Sequence, residues 1–244
     1  MTDETDIEYI EFVPKKTRVK KQQTTLSKYF VEDPSIFEIG VDEVGRGPLF
    51  GRVYTAAVIL PKDDSFDHFK MKDSKKFHSK TKIIETAEYI KANAIAWNVT
   101  YEDEVVIDEI NILQATQKSM HKSILGIKQK LNKDDKIQLL IDGNYFNPIT
   151  FMNKSRGMIE TIPHICIEGG DDKYTSIAAA SILAKVERDK YIEELCEKYP
   201  ELIEKYGIDS NKGYGAKKHM DGIKEHGITI WHRRTFGICK EYSI

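Results

Sequence analysis

Cysteine is scarce in this chain. Its 244 residues hold three, Cys166, Cys196 and Cys239, far apart and with no CxxC pair. That argues against a disulfide framework and for a reducing compartment. Long apolar runs are missing as well; none approaches the roughly 18 residues that a membrane helix needs. The opening MTDETDIEYIEF is acidic and lacks the apolar core of a signal peptide. Internal repeats are absent. A dominant charge sign is absent too, because the formal net charge is −2, so global charge does not identify a partner. These absences lead us to expect an intracellular protein, cytoplasmic or nuclear, neither secreted nor embedded in a membrane.

What is present fits one well-buried domain with appendages: 40% of residues are hydrophobic and 31% charged. Residues 1–35 differ from the rest. The acids Asp3, Glu4, Asp6, Glu8 and Glu11 precede the bases Lys15, Lys16, Arg18, Lys20 and Lys21, with few aliphatics and no sustained period. Such a segment is expected to be a disordered tail. Residues 36–244 are expected to form the globular domain.

Within it, FEIGVDEV and RVYTAAVIL are β-branched apolar runs split by a Gly/Pro turn, the pattern of two antiparallel strands. SKTKIIETAEYIKANA has helical spacing, IAWNVTYE reads as a strand, and the stretch from Asp103 to Leu131 as one long helix or two. KIQLLIDGN and TIPHICIEGGD read as further buried strands. TSIAAASILAKVERDKYIEELCEKY is the strongest helix pattern, its Ala/Ser-rich half suited to close contact with a sheet. A Gly-rich loop, a helix and a basic stretch follow. The order implies an α/β fold with a mixed five-stranded sheet flanked by helices and a C-terminal helical extension.

Three of these strands end in acids: Asp42 with Glu43, Asp142, and Asp171. Sites in open α/β sheets form at the carboxyl ends of strands. Carboxylates gathered there repel one another and stay ionised only beside cations. Mg²⁺ or Mn²⁺ suits all-oxygen ligands, and two such ions about 4 Å apart are common machinery for displacement at phosphorus. Each acid also has a plainer reading, since Asp at a strand end and Asp-Gly at 142–143 are ordinary turn formers. Gly45, Gly47 and Gly51 do not make a dinucleotide loop. The spacing is G-x-G-x-x-x-G, a proline intervenes and a strand follows. Glycines there still let backbone amides approach a phosphate or sugar.

From about residue 37 to 236 the chain resembles the type 2 ribonucleases H, ribonuclease HII. GVDEVGRGPLFG, the Asp73–Lys76 element in MKDSKK, IDGN, GGDDKYTSIAAASILAKVERD, NKGYG and HRRTF match that family's motifs in order. The resemblance implies that Asp42, Glu43, Asp142 and Asp171 bind two Mg²⁺ or Mn²⁺ ions. Asp171 is favoured over Asp172 by its distance from the Ala-Ser helix. It implies that Gly45, Arg46 and Gly47 grip the nucleotide at an RNA–DNA junction through its 2′-hydroxyl, and that Tyr214 stacks on the next deoxyribose. The implied activity is cleavage of RNA in RNA–DNA hybrids and nicking 5′ of single ribonucleotides in duplex DNA, leaving 5′-phosphate and 3′-hydroxyl ends.

Arg52, Phe50, Phe77 and Asn211 depart from the family's common residues. Lys75 and Lys76 are candidate phosphate contacts, as are Lys185 and Arg188. His232, Arg233 and Arg234 form a candidate backbone-binding edge. Ser181, His164, His219 and Cys166 read as structural. A monomer is expected.

The tail carries one more motif. QTTLSKYF resembles the peptide by which replication and repair proteins bind the sliding clamp, PCNA. A 3₁₀-type turn would set Leu26, Tyr29 and Phe30 on one face for an apolar pocket, with Gln23 at its rim. The alternative is an aromatic anchor that holds the tail on the domain. Two other functions remain open: a catalytically idle hybrid- and clamp-binding adaptor, against which the intact acids argue, and a Holliday-junction resolvase, against which GRG and Tyr214 argue.

Overall fold

The computed structural model of this chain describes residues 25–153 and 157–242. Five strands form the main sheet, in the order β3 (Ala96–Glu102), β2 (Val53–Ile59), β1 (Ile36–Val44), β4 (Lys136–Asp142) and β7 (His164–Ile167). The β-branched runs supply β1 (Ile36–Val44) and β2 (Val53–Ile59), an antiparallel pair whose register sets Asp42 opposite Ala56 and Glu43 opposite Thr55. The helix α1 (Lys80–Asn93) begins where the Ser79 hydroxyl accepts the Lys82 amide. β3 (Ala96–Glu102) then closes one edge of the sheet, antiparallel to β2.

The stretch read as one helix or two is both. α2 (Glu104–Lys128) is continuous except at Asn111, whose φ of 66° and ψ of 163° break it. Asn111 Oδ1 accepts the Gln114 amide at 3.1 Å and so caps the second part. β4 (Lys136–Asp142) lies parallel to β1, and β7 (His164–Ile167) parallel to β4. Between them is a hairpin, β5 (Thr150–Asn153) and β6 (Met158–Thr161), that the sequence pattern does not predict. Its strands are four residues each, and Met152, Met158 and Ile159 are exposed, so no alternation marks a buried face.

Alternation along β1 and β2 assigns the two faces. Ile39, Val41, Ala57 and Ile59 join Met120, Ile124 and Ile127 of α2 in one core. Ala56 and Val58 face α1 and α3 (Thr175–Lys198) in the other. The Ala-Ser half of α3 is buried throughout and lies so close that no Cβ fits at Gly40 against the Ser176 backbone. α4 (Glu201–Tyr206), α5 (Ile208–Asn211) and α6 (Lys217–His226) form the C-terminal extension. A bridge between Phe50 and His232 ties the segment after α6 to the Gly45–Gly51 loop. Among the described residues no helix is long and apolar enough to cross a membrane.

Candidate active site

Parallel pairing brings the acids to one edge. The β1–β4 register ends on Val41 opposite Ile141, so Asp42 and Asp142 follow on adjacent strands. Asp142 pairs with Ile167, and the 3₁₀ turn Gly170–Asp172 carries Asp171 back towards it. Asp142 Oδ1 accepts the Gly170 amide at 2.7 Å. Asp42 lies on the same alternation as Gly40, towards α3, where Ser181 hydrogen-bonds its carboxyl. The Ser181 hydroxyl is 3.0 Å from that of Ser74, so the Asp73–Lys76 turn and Asp42 share one polar thread. Asp171 is buried, whereas Asp172 is half exposed and pairs with Lys76.

The electrostatics follow from burial and crowding. Desolvation pushes the Asp42 carboxyl well above the usual range, and the charges of Glu43 and Asp142 push it further. Burial also raises Glu43, partly offset by Arg46, whose Nη1 lies 3.2 Å from Glu43 Oε1. Burial raises Asp171, with Asp142 and Asp73 adding to it and Lys75 opposing. Lys75 Nζ stands 3.9 Å from Asp171 Oδ2 with its side chain largely in solvent.

Among the described residues no three His, Cys, Asp or Glu side chains already form a coordination cluster. The four acids instead line one edge. Asp142 Oδ1 holds the Gly170 amide and Asp42 Oδ1 the Glu43 amide. The donor set is all oxygen, desolvated and mutually repelling, which is what a hard divalent cation relieves. These residues therefore fit such an ion.

Beside this edge stands the Gly45–Arg46–Gly47 loop. Gly45 adopts a φ of 95° and has the Arg188 side chain beneath it, so the position suits only glycine. Arg46 and Gly47 are exposed. Tyr214, 48% exposed, has its ring edge 3.5 Å from where a Gly47 Cβ would sit. The loop and the tyrosine thus form one continuous surface.

Arg233 is not on that surface. The HRRTF motif led us to expect a substrate contact, but Arg233 is 0% exposed. Its guanidinium donates to the carbonyls of Gly45 (2.6 Å), Arg46 (3.0 Å), Pro48 (2.8 Å) and Gly51 (2.8 Å). Four of its five N–H donors go to loop carbonyls and the side chain is fully buried, so it organises the loop from below. Arg188, also buried, donates to the Phe50, Arg52 and Lys212 carbonyls. Burial and the neighbouring Arg188 charge draw the Arg233 guanidinium down to about 9, still cationic at neutral pH. Two guanidiniums satisfied by carbonyls keep positive potential beneath the loop. Arg234 points outward while its amide donates to Asp108.

Arg52 is held between the rings of Tyr101 (4.0 Å) and Tyr191 (4.4 Å). Of the tail motif, Gln23 lies outside the described residues. Leu26 rests against the α1/α3 core, and Phe30 meets Tyr174 edge-on at 5.9 Å between ring centres. The Ser27 amide donates to Lys173 O at 2.8 Å and Ser27 O accepts the Thr175 amide at 3.0 Å. The amides of Phe30 and Val31 both donate to the buried Glu38 carboxylate. Residues 26–31 are therefore anchored to the domain next to Asp171. Of residues 1–35, those from 1 to 24 lie outside the described residues.

Sequence reasoning missed the roles of Arg233 and Ser181. A buried arginine looks like an exposed one in sequence. The one available signal was the density of glycines and proline between Gly45 and Gly51, whose free carbonyls need donors.

Known proteins resemble this chain over most of its length. The family described as Ribonuclease HII matches residues 39–239. The ribonuclease HII of Cytophaga hutchinsonii is 42% identical over 199 residues, covering 82% of this chain and 88% of that protein. That of Bacteroides thetaiotaomicron is 44% identical over 205 residues, covering 83% and 90%. Among solved structures, a chain of the PCNA:RNase HII complex from Archaeoglobus fulgidus aligns with a TM-score of 0.63 at 25% identity, over 82% of this chain and 95% of that one.

Proposed function

The chain belongs to the ribonuclease HII family and is a ribonuclease H, and from that premise we propose that it is an endonuclease acting at RNA–DNA junctions. It cleaves the RNA strand of RNA–DNA hybrids and nicks duplex DNA on the 5′ side of a single ribonucleotide. The observation that carries this reading is the shared edge: Asp42, Glu43, Asp142 and Asp171 stand beside a glycine loop that Tyr214 adjoins.

Asp42, Glu43, Asp142 and Asp171 would hold two divalent cations, Mg²⁺ or Mn²⁺. Such ions supply a Lewis acid at the scissile phosphate and lower the pKa of bound water. The protein's own residues do the rest. Gly47 leaves room for a ribose, and the Gly45–Gly47 backbone faces its 2′-hydroxyl, the group that separates RNA from DNA. Tyr214 stacks on the following deoxyribose. Lys75, Lys76 and Arg234 contact phosphates, while Arg46 steadies Glu43. Water oxygen bonds to phosphorus, the bond to the upstream 3′ oxygen breaks, and that oxygen leaves as a 3′-hydroxyl. The ribonucleotide keeps the 5′-phosphate.

The enzyme acts as a monomer, and residues 23–30 bind a sliding clamp. Support comes from the clamp complex of the Archaeoglobus fulgidus relative and from the exposure of Phe30.

The test is cleavage of duplex DNA bearing one ribonucleotide, with Mg²⁺, Mn²⁺ or EDTA, beside an all-DNA control. A metal-dependent nick 5′ of the ribonucleotide is expected. Tight binding without cleavage of this duplex or of a long hybrid would replace the reading with an idle adaptor.

A further inference from the structure

Two histidines sit behind Tyr214, fully enclosed. His219 is 0% and His232 1% exposed, and the rings of Phe50 and Tyr206 meet both edge-on. Their Nε2 atoms are 3.1 Å apart. His219 Nδ1 lies 2.8 Å from the Tyr214 carbonyl, and His232 Nδ1 lies 2.9 Å from the Thr229 amide.

These partners leave one arrangement of protons. A carbonyl only accepts, so His219 Nδ1 carries a proton and donates to Tyr214. A backbone amide only donates, so His232 Nδ1 is bare and accepts the Thr229 amide, and the Thr229 hydroxyl, also 2.9 Å away, then turns its O–H towards the same nitrogen. A neutral imidazole carries one N–H. His219 Nε2 is therefore bare, and the proton between the rings belongs to His232 Nε2. The chain runs in one direction: Thr229 N–H to His232, His232 to His219, His219 to the Tyr214 carbonyl. A further proton on either ring would set two donors face to face. Burial lowers both imidazoles, His232 to about 3, so the chain stays neutral and intact.

The same element holds the reading loop. Leu49 N donates to Gly213 O, Gly51 N to Trp231 O, and Arg233 N to Leu49 O. The carbonyl that His219 grips thus belongs to the residue next to Gly213, whose own carbonyl accepts the Leu49 amide. No charged side chain takes part in the histidine chain.

We propose that His219 and His232 are positioning residues that fix Tyr214 for stacking on the deoxyribose at the junction, an inference that rests on the stacking role assigned to Tyr214 above. Their contribution is geometric. Tyr214 is half exposed; its amide donates to Asn211 O at 3.0 Å and its carbonyl accepts the Ala216 amide at 2.8 Å, so the His219 bond sets the tilt of a peptide that the turn already holds.

The experiment has two arms on the full-length protein. In the first, nitrogen-15 NMR of the wild type reads the tautomers between about pH 5 and 8. His219 protonated at Nδ1 and His232 at Nε2, both neutral, is expected; the opposite pair, or a charged ring, overturns the inference. In the second, KM and kcat on single-ribonucleotide duplex are measured for His219→Leu and His219→Asn, each with and without Tyr214→Ala, and melting confirms folding. His219→Leu should raise KM roughly three- to tenfold, the range of one lost hydrogen bond, with kcat little changed. His219→Asn, whose amide can replace Nδ1–H, should restore most of the loss. In the Tyr214→Ala background His219→Leu should add nothing. An equal loss in both backgrounds makes the histidines scaffolding only and overturns the inference. If Tyr214→Ala itself leaves KM unchanged, the stacking role fails first, and that result is distinct from the others. Should His219→Leu not fold, His219→Asn and the tautomers still decide.

Discussion

Asp142 and Gly170, 28 positions apart, are joined by a 2.7 Å hydrogen bond from the glycine amide to the carboxylate. This bond brings the turn that bears Asp171 back to the end of β4. Under the proposed function Asp142 then answers to two demands, one structural and one chemical.

Asp142→Asn separates them. The asparagine carbonyl oxygen can still accept the Gly170 amide, so the fold should persist with a melting temperature near that of the wild type. The loss of a charged ligand should reduce cleavage by about 10² or more, the scale on which removal of one electrostatic stabiliser acts. Single-turnover cleavage beside a binding titration reads both. Unaltered cleavage would remove Asp142 from the reaction.

The raised carboxyls of Asp42, Glu43 and Asp171 give the metal-free protein a signed pH dependence. A folded-state pKa above the unfolded value means the folded protein binds more protons. Stability from these groups is then full below the ordinary carboxylate range, about 4, and is lost as pH rises through the elevated values. Melting curves in EDTA should show this loss as the wild type minus Asp42→Asn difference. Mg²⁺ or Mn²⁺ should restore the melting temperature, and more so at the higher pH. A flat difference would mean that Asp42 is not desolvated.

Adjacent arginines should behave oppositely. Arg233→Lys loses the planar fork that serves four carbonyls, which a single ammonium cannot replace. Destabilisation by about 3 kcal/mol is expected, with a melting temperature lower by roughly 6–12 °C. Arg234→Ala should change stability by less than about 0.5 kcal/mol. It should instead weaken duplex binding and reduce the salt slope by about one. Thermal melts and binding across a salt series separate the two. A stable Arg233→Lys protein would show that the loop does not depend on its fork.

The anchored tail makes a prediction about the clamp. Leu26 and Phe30 contact the domain, so a partner that needs the same side chains must first release them. A peptide of residues 20–32 should bind a sliding clamp more tightly than the full chain does, by the factor that the anchored form imposes. Glu38→Gln, which weakens the hold on the Phe30 and Val31 amides, should narrow the gap. Competition measured by fluorescence anisotropy tests this, and equal affinities would show that anchoring and clamp binding are independent.

Much of this architecture was legible because local patterns carried it. Alternation in β1 and β2, the Ala-Ser half of α3 and acids at three strand ends all lie within short windows. Parallel pairing then fixes which acids meet. The hairpin β5–β6 was not legible, because four-residue strands with exposed Met152 and Ile159 have no buried face to mark. Arg233 and Arg234 are indistinguishable by composition, and what separates them is whether carbonyls nearly two hundred residues away point at them. Sequence reading set His219 aside as a structural residue and grouped His232 with the basic edge. It could not show that the two rings touch, because the turn between α6 and residue 229 sets that contact.

Arg233 joins the carbonyl of Arg46 across 187 positions of chain. During synthesis the glycine loop leaves the ribosome long before the side chain that shapes it. The acids of β1, β4 and the turn after β7 have all emerged before the segment beyond α6, and the glycine loop waits for that segment. A nascent chain therefore holds its four acids before it holds the guanidinium that supports the neighbouring loop, and translation of the HRRTF segment closes that interval.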